Sequence, residues 1–332
     1  MPLKILVTDY NWPSLEIERE VLRRAGAELV VAETGTEAEF IRLAGDVAGI
    51  LTCWKHVTPA VLDAAPRCRT VARYGVGLDN IAVGHATELG MVVTNVPDYC
   101  YEEVSDHAMA LLLACARKVA SFAAATNAGR WDLKAGWPLP RLRGQTLGII
   151  GFGRIGRALA PKAAGFGLQV VVYSPREPRD RPSFVRWTND LDEVLAQSDY
   201  VSLHVPLTEA TRGLMNAGAL AKMKPSAYLI NTARGAVIDE AALLAAVQRK
   251  VIAGAALDVL TTEPPPAGHP LLGQPGIILT PHAAFYSEAA IEELQQKAAE
   301  HVAQALRGEW PENVVNPQVR EQANYRAVGQ AA

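Results

Sequence analysis

The chain has 332 residues, 49% hydrophobic and 20% charged, with a formal net charge of -3 and a pI near 6.2. That length suffices for two ordinary domains, and the charge balance excludes an electrostatic footprint for nucleic acid or an anionic membrane. Apolar runs such as Ala108–Ala116 are too short to span a bilayer.

Met1–Asp9 reads as a β-strand without the apolar core of a signal peptide, so a cytoplasmic protein is expected. From there to residue 96, short β-branched runs alternate with helical patterns. Strands are predicted at Ile5–Thr8, Glu28–Ala32, Gly49–Thr52, Thr70–Tyr74 and Val92–Asn95, and helices at Leu15–Arg24, Glu37–Leu43 and Pro59–Ala65. This alternation implies a parallel sheet covered on both faces. The pattern Tyr101–Val119 is helical and apolar all round at its centre, as in a helix buried from every side. Asn127–Gly144 reads as an irregular arm, whose Trp131 and Trp137 suit either a subunit contact or packing onto its own domain.

A second α/β series begins at Gly144. Six strands are predicted (Thr146–Ile150, Gln169–Tyr173, Tyr200–His204, Ala227–Asn231, Gly254–Asp258, Ile277–Thr280) with helices at Ile155–Ala164, Asp192–Gln197, Ala217–Lys222 and Glu240–Arg249. A last helix, Glu288–Arg307, trails beyond and is expected to cross back to the first domain. The four cysteines (Cys53, Cys68, Cys100, Cys115) show no C-x-x-C pairing, which points to reduced structural thiols and to no metal site.

Gly151-Phe-Gly153-Arg-Ile-Gly156 lies between the strand Thr146–Ile150 and an amphipathic helix. In a dinucleotide-binding turn Gly151 permits the bend, Gly153 the approach of a pyrophosphate, and Gly156 close helix–strand packing. The helix N-terminus then receives the phosphates. Nearly half the chain precedes this turn, so another domain must be built from the N-terminal part.

Ligands in doubly wound sheets bind beyond the carboxyl ends of the strands. Arg234 follows one predicted strand, Asp258 ends the next with Glu263 shortly after, and His282 follows the last. Arg234 can clamp a carboxylate and polarise the adjacent carbonyl. His282 can give or take the carbonyl proton, and Glu263 can stabilise its imidazolium. Asp258 can orient the nicotinamide carboxamide or ribose, and His204 flanks the cofactor. Singly, each also reads as an ordinary surface or strand-end residue; jointly, downstream of the glycine turn, they suit reduction of a 2-keto acid. His85, His107, His269 and His301 carry less weight.

Over almost its whole length the chain resembles the D-isomer-specific 2-hydroxyacid dehydrogenase family. The matching motifs are Ala72-Arg-Tyr-Gly-Val-Gly-Leu-Asp-Asn-Ile81, the glycine turn, His204-Val-Pro-Leu-Thr208, Asn231-Thr-Ala-Arg-Gly235, Asp258-Val with Glu263-Pro264, and Pro281-His282. Asn95-Val-Pro-Asp-Tyr-Cys100, Glu103-Val-Ser-Asp-His107 and Pro281-His-Ala-Ala-Phe-Tyr-Ser287 are similar to the branch containing the C-terminal-binding-protein corepressors. The resemblance implies two α/β domains with parallel sheets. A flavodoxin-like substrate domain (1–100 plus 285–332) would be interrupted by a Rossmann cofactor domain (101–284), with NAD(P)(H) between the two and a homodimer formed through the latter. It implies catalysis by Arg234, Glu263 and His282, and cofactor contacts from Gly151, Gly153, Arg154, Ile155, Gly156, Ser174, Arg176, His204, Val205, Pro206, Thr211, Thr232, Ala233, Asp258, His282 and Ala284. Substrate contacts would come from Tyr74, the N–H groups of Val76 and Gly77, Arg234 and His282. Trp54, Lys55, Tyr99, Tyr101 and Phe285 are candidates for specificity.

One position departs from the NAD-specific pattern. The acidic residue at the end of the second cofactor-domain strand is replaced by Ser174. No carboxylate there repels a 2′-phosphate, and Arg176 or Arg179 can bind one, so NADP(H) tolerance is expected; a solvated loop whose arginines pair with Glu177 and Asp180 is the alternative. Against the dehydrogenase stand a nucleotide-sensing, corepressor-like dimer with little turnover, and phosphoglycerate oxidation, for which little chain is left to form a regulatory domain.

Overall fold

A computed structural model describes residues 2–326; Met1 and residues 327–332, assigned above to the substrate domain, lie outside the described residues. The chain falls into two units, one taking it up to Cys100 and again from Ser287 onward, the other spanning Tyr101–Tyr286.

In the first unit the elements run β1 (Leu3–Val7), α1 (Glu16–Arg24), β2 (Ala27–Val31), α2 (Glu37–Leu43), β3 (Val47–Thr52), α3 (Pro59–Asp63), β4 (Thr70–Arg73), α4 (Val83–Glu88) and β5 (Val92–Thr94). All five strands are parallel, in the order β2-β1-β3-β4-β5 of a flavodoxin-like sheet. Thr36 and Thr58 cap α2 and α3 by accepting from the N–H groups of Glu39 and Val61. One face of the sheet buries Leu6, Ile50 and Val71 together with Phe40, Val61 and Leu62. The final helix of the chain, Glu288–Arg307, belongs to this unit and packs on α1, β3 and β4.

The second unit opens with α5 (Tyr101–Ala116) and α6 (Val119–Asn127). Lys118, in the left-handed region at φ 52°, ends the helix expected to reach Val119 and starts another that the sequence pattern does not announce. No single described helix is long and apolar enough to cross a membrane; α5 and α6 reach that length only together, across a 62° bend. Then come β6 (Thr146–Ile150), α7 (Arg154–Gly165), β7 (Gln169–Tyr173), β8 (Val185–Thr188), α8 (Leu191–Gln197), β9 (Tyr200–Leu203), α9 (Ala217–Leu220), β10 (Tyr228–Asn231), α10 (Glu240–Gln248), β11 (Gly254–Leu257) and β12 (Ile277–Leu279), with α11 (Glu288–Arg307) closing the chain in the first unit.

The sheet has seven parallel strands, β12-β11-β10-β9-β6-β7-β8, rather than the six expected. The additional strand, β8, occupies the edge and completes the doubly wound order 3-2-1-4-5-6 with one strand beyond it. It is four residues long and follows a stretch broken by Pro175, Pro178 and Pro182, so no period-2 run is long enough to declare it. Alternation along the inner strands sends Leu147, Ile149, Val170 and Val172 to a core with α5 and α7. Ile150, Val171, Val201 and Leu203 face a second core with Leu195, Leu220 and Leu243.

Candidate active site

The order of the sheet reverses between β6 and β9, and the glycine turn leaves the end of β6 at that point. Each glycine there has a separate cause. Gly151 adopts φ +93°, and a Cβ on it would stand 2.5 Å from the His204 carbonyl oxygen at the end of β9. A Cβ on Gly156 would stand 2.5 Å from the Gly151 oxygen, so the first turn of α7 rests directly on the bend. A Cβ on Gly153 would meet nothing within 4 Å. Gly153 is the N-cap of α7, no side chain caps that end, and the first backbone bond of the helix runs from Arg157 N–H to Gly153 O. The opening N–H groups of Arg154 and Ile155 make no hydrogen bond among the described residues and stand at the positive end of the helix dipole.

The surrounding residues fit a dinucleotide. Thr232, beyond β10, has a buried hydroxyl with no hydrogen-bond partner, and His204 has an enclosed, unpartnered Nδ1. The His204 Nε2 stands 2.8 Å from Ser202 Oγ, and burial lowers the His204 pKa to about 4. Val205 and Pro206 continue the strand end, and Thr211 Oγ1 donates to Pro206 O at 2.6 Å, which closes this loop on itself. At the end of β7, Ser174 Oγ donates to Arg176 O at 2.7 Å and accepts from Trp187 Nε1 at 3.1 Å. Glu177 pairs with Arg181, not with Arg176 or Arg179. Those two arginines are exposed, and among the described residues neither side chain has an ion-pair partner.

Arg234, Glu263 and His282 are carried beyond the adjacent strands β10, β11 and β12 of the same sheet. Asn231 ends β10 with no exposed surface; its side chain accepts from Ala233 N–H and donates to Arg234 O, both at 2.9 Å, fixing the turn that presents Arg234. Arg234 Nη1 donates to Ala233 O at 2.8 Å. Glu263 accepts at one oxygen from Leu260 N–H at 2.7 Å, and its other oxygen is 2.6 Å from His282 Nδ1. Burial raises the Glu263 pKa, but the bond and charge of His282, the Leu260 N–H and the Arg234 charge outweigh it, so the net shift is downward. An ionised Glu263 makes Nδ1 the donor of this pair.

Asp258 also carries a structural task that the sequence does not announce. Its side chain is fully buried just past β11, where it accepts from Thr280 Oγ1 at 2.5 Å and from the N–H groups of Ala283 and Ala284 at 2.9 Å each. His282 lies inside that loop at φ 52°, its N–H donating to the carbonyls of Asp258 and Thr280. A left-handed histidine is uncommon and persists only where its surroundings over-determine it. The His107 ring, 3.0 Å from Thr280 Oγ1, braces the same group from α5.

In the first unit the turn after β4 holds Gly75, Val76 and Gly77. Its carbonyls are tied down, with Gly75 O accepting from Val96 N–H at 3.0 Å and Val76 O from Asn95 Nδ2 at 2.7 Å. The N–H groups of Val76 and Gly77 make no hydrogen bond among the described residues. Tyr74 requires a correction. Its side chain has no exposed surface and its hydroxyl donates to buried Glu18, so the ring is core and not a substrate contact. Tyr99 is likewise buried, whereas Trp54, Lys55 and Tyr101 are exposed, and the Phe285 ring lies edge-on to His282 at 6.2 Å between centroids. Sequence reasoning misses Asn231, Thr280, His107 and Gly235 as contributors; only the Asn-Thr-Ala-Arg turn signature offers a clue to any of them.

A doubly wound unit with an uncapped glycine turn at its reversal point, and an imidazole–carboxylate pair and a guanidinium beyond neighbouring strands of the same sheet, define an NAD(P)-dependent oxidoreductase. Residues 109–284 match the family described as D-isomer specific 2-hydroxyacid dehydrogenase, NAD binding domain, and the chain belongs to that family. A glyoxylate reductase of Korarchaeum cryptofilum is 43% identical over 266 residues, covering 78% of this chain and 79% of its own. The D-3-phosphoglycerate dehydrogenase of Methanocaldococcus jannaschii is 38% identical over 317 residues, 95% of this chain but 59% of its own. Among solved structures, an NADPH-dependent glyoxylate/hydroxypyruvate reductase of Sinorhizobium meliloti, in complex with NADP and malonate, superposes with a TM-score of 0.85 at 31% identity over 100% of both chains.

The glycine turn and His204 each generate a test. Gly153→Ala should leave the melting temperature nearly unchanged, because its methyl meets open space, yet weaken NAD(P)H binding roughly tenfold or more by occupying the approach to the helix end. Gly156→Ala should lose both stability and affinity; a fluorescence titration showing unaltered cofactor affinity in Gly153→Ala would overturn the assignment. His204 supplies a pH dependence. Its folded pKa of about 4 lies below an unfolded value of ~6.5, so the unfolded chain binds the extra proton between these values. Stability is then fully present above pH ~6.5 and falls by up to about 3 kcal/mol towards pH ~4. Urea unfolding at pH 7 and 4.5 should show a smaller acid loss in His204→Gln; an equal loss in both proteins would refute this.

Proposed function

We propose that this chain interconverts a small 2-keto acid and the corresponding D-2-hydroxy acid, with Arg234, Glu263 and His282 as its catalytic residues. The observation that carries this reading is the 2.6 Å His282–Glu263 pair beyond the sheet that also presents Arg234. A nicotinamide, when bound, would supply or accept the hydride at C2. Arg234 engages the substrate carboxylate and polarises the neighbouring carbonyl. His282 donates its Nε2 proton to the carbonyl oxygen, while ionised Glu263 stabilises the imidazolium that exists before transfer. In the oxidative direction the neutral imidazole takes the hydroxyl proton. In the first unit, the N–H groups of Val76 and Gly77, which make no hydrogen bond among the described residues, are themselves suited to receive a carboxylate. Glyoxylate and hydroxypyruvate, named for the relatives, are the first substrates to try.

Ser174 with unpaired Arg176 and Arg179 supports acceptance of NADPH, since their cationic groups suit a 2′-phosphate and the end of β7 carries a serine in place of a carboxylate. Steady-state reduction of glyoxylate and hydroxypyruvate with each cofactor tests both points. Turnover with NADPH should be robust, and His282→Ala should lower kcat by about 100-fold or more with a smaller effect on KM. Unchanged turnover in His282→Ala would remove the mechanism, and a strong preference for NADH would remove the cofactor proposal. Tight cofactor binding without turnover on any keto acid would favour the nucleotide-sensing alternative.

The second unit also supports a homodimer. Trp131, Leu133 and Trp137 are 92%, 76% and 74% exposed on one irregular stretch, more apolar surface than a monomer usually leaves in one place. Sedimentation should find a dimer that dissociates in a Trp131→Glu, Leu133→Glu double variant; a native monomer would end this proposal.

A further inference from the structure

We infer that Glu240 and His269 form a second carboxylate–imidazole pair whose work is to hold the loop that carries Glu263. The inference rests on the catalytic reading above and adds two positioning residues to it. The loop Leu260–Glu263 belongs to no helix or strand, and Thr261 and Thr262 are exposed. Glu263 nevertheless has to meet His282 within hydrogen-bonding distance, and the direction of its other oxygen depends on where Leu260 N–H stands.

Glu240, the first residue of α10, ties that loop at both ends. Its Oε1 accepts from Thr261 N–H at 2.6 Å, at the start of the loop. Its Oε2 lies 3.2 Å from Nε2 of His269, on the far side of the Pro264–Pro266 run. The tautomer follows from the remaining contact, because Leu271 N–H points to His269 Nδ1 at 3.4 Å. With Nδ1 accepting, the ring proton sits on Nε2 and is donated to Glu240. The relay runs from Leu271 N–H through His269 to Glu240, and Glu240 in turn takes the Thr261 N–H. Both side chains are largely withdrawn from solvent, at 12% exposure for His269 and 19% for Glu240.

A third contact joins this loop to the Arg234 turn. A Cβ on Gly235 would lie 2.0 Å from the Leu260 carbonyl carbon and 2.3 Å from Thr261 N. The two backbones are therefore in direct contact, and a displacement of Thr261 disturbs the neighbour of Arg234 as well as Glu263. Glu240 is placed to set the geometry of the guanidinium and the imidazole–carboxylate pair together, without touching substrate or cofactor.

The test compares Glu240→Ala, Glu240→Gln and His269→Ala with the native protein, in glyoxylate reduction by NADPH and in direct titration with NADPH, with His282→Ala as reference. Glu240→Ala should lower kcat roughly 10- to 100-fold, with little change in cofactor affinity. Glu240→Gln keeps an acceptor for Thr261 N–H and should restore most of the turnover; His269→Ala should fall between them. Native kcat in Glu240→Ala, a loss matched by weakened cofactor binding, or a glutamine variant as poor as alanine would each overturn the inference. Should Glu240→Ala fail to fold, native kcat in His269→Ala does the same. An active His282→Ala would instead indict the catalytic reading, so the two failures are told apart.

Discussion

The second unit is organised around one buried carboxylate. Asp258 leaves the end of β11 with its side chain withdrawn from water, a position that is costly unless donors satisfy it. Three do: a threonine hydroxyl and two consecutive backbone N–H groups, all from residues 280–284. Because these donors lie on either side of His282, the chain must coil around the carboxylate, and His282 is left in a conformation that an unconstrained histidine avoids. The strain is local and is offset by hydrogen bonds to a charge, which are about twice as strong as neutral ones. The same carboxylate cannot be replaced by asparagine without trading one of those acceptors for a donor aimed at another donor.

The cofactor end of the sheet follows a different logic, that of exclusion. Gly151 and Gly156 are forced by contacts already made, since each has a carbonyl oxygen where a side chain would begin. Gly153 alone faces emptiness. Three glycines in six residues thus do three jobs, and only the middle one concerns the ligand. The order of the strands makes the arrangement useful, because it reverses between the neighbours β6 and β9 at the point where the turn stands.

Much of this is legible in the sequence because it depends on short-range constraints. The glycine spacing, the strand ends that carry Arg234, Glu263 and His282, and the capped helices are each encoded within a few residues. What is not legible depends on partners distant in the chain. His107 is 173 residues from Thr280, and Glu240 meets Thr261 and His269 across a helix and a strand. Nothing in the local pattern at His269 separates it from any loop histidine. β8 is hidden for another reason: a four-residue strand between a proline-broken stretch and a capped helix carries too little periodicity to stand out. Tyr74 misleads because its place beside the Gly75–Gly77 turn in sequence says nothing of where its side chain goes, which is into the core against Glu18.

The burial of Tyr74 explains why the first unit needs both ends of the chain. Its hydroxyl donates to Glu18 of α1 at 3.1 Å, and the other oxygen of Glu18 accepts from Gln295 of α11 at 2.8 Å. The Gln295 amide also holds Ser14 O. Burial raises the Glu18 pKa, against the pull of a backbone N–H and of these donors, among them the amide that α11 supplies. Further on, Asn316 accepts from Val93 N–H and donates to Met91 O and Thr87 Oγ1, with no exposed surface of its own. A strand edge and a buried acid are thus both satisfied by residues more than two hundred positions away. Without Asn316 the N–H of Val93 on β5 would lose its partner, and without Gln295 the buried Glu18 carboxyl would lose one of its donors. The turn that offers the N–H groups of Val76 and Gly77 lies between β4 and β5, held through Asn95 and Val96. The return of the chain after the second unit therefore completes the hydrogen bonding of the strand that borders this turn.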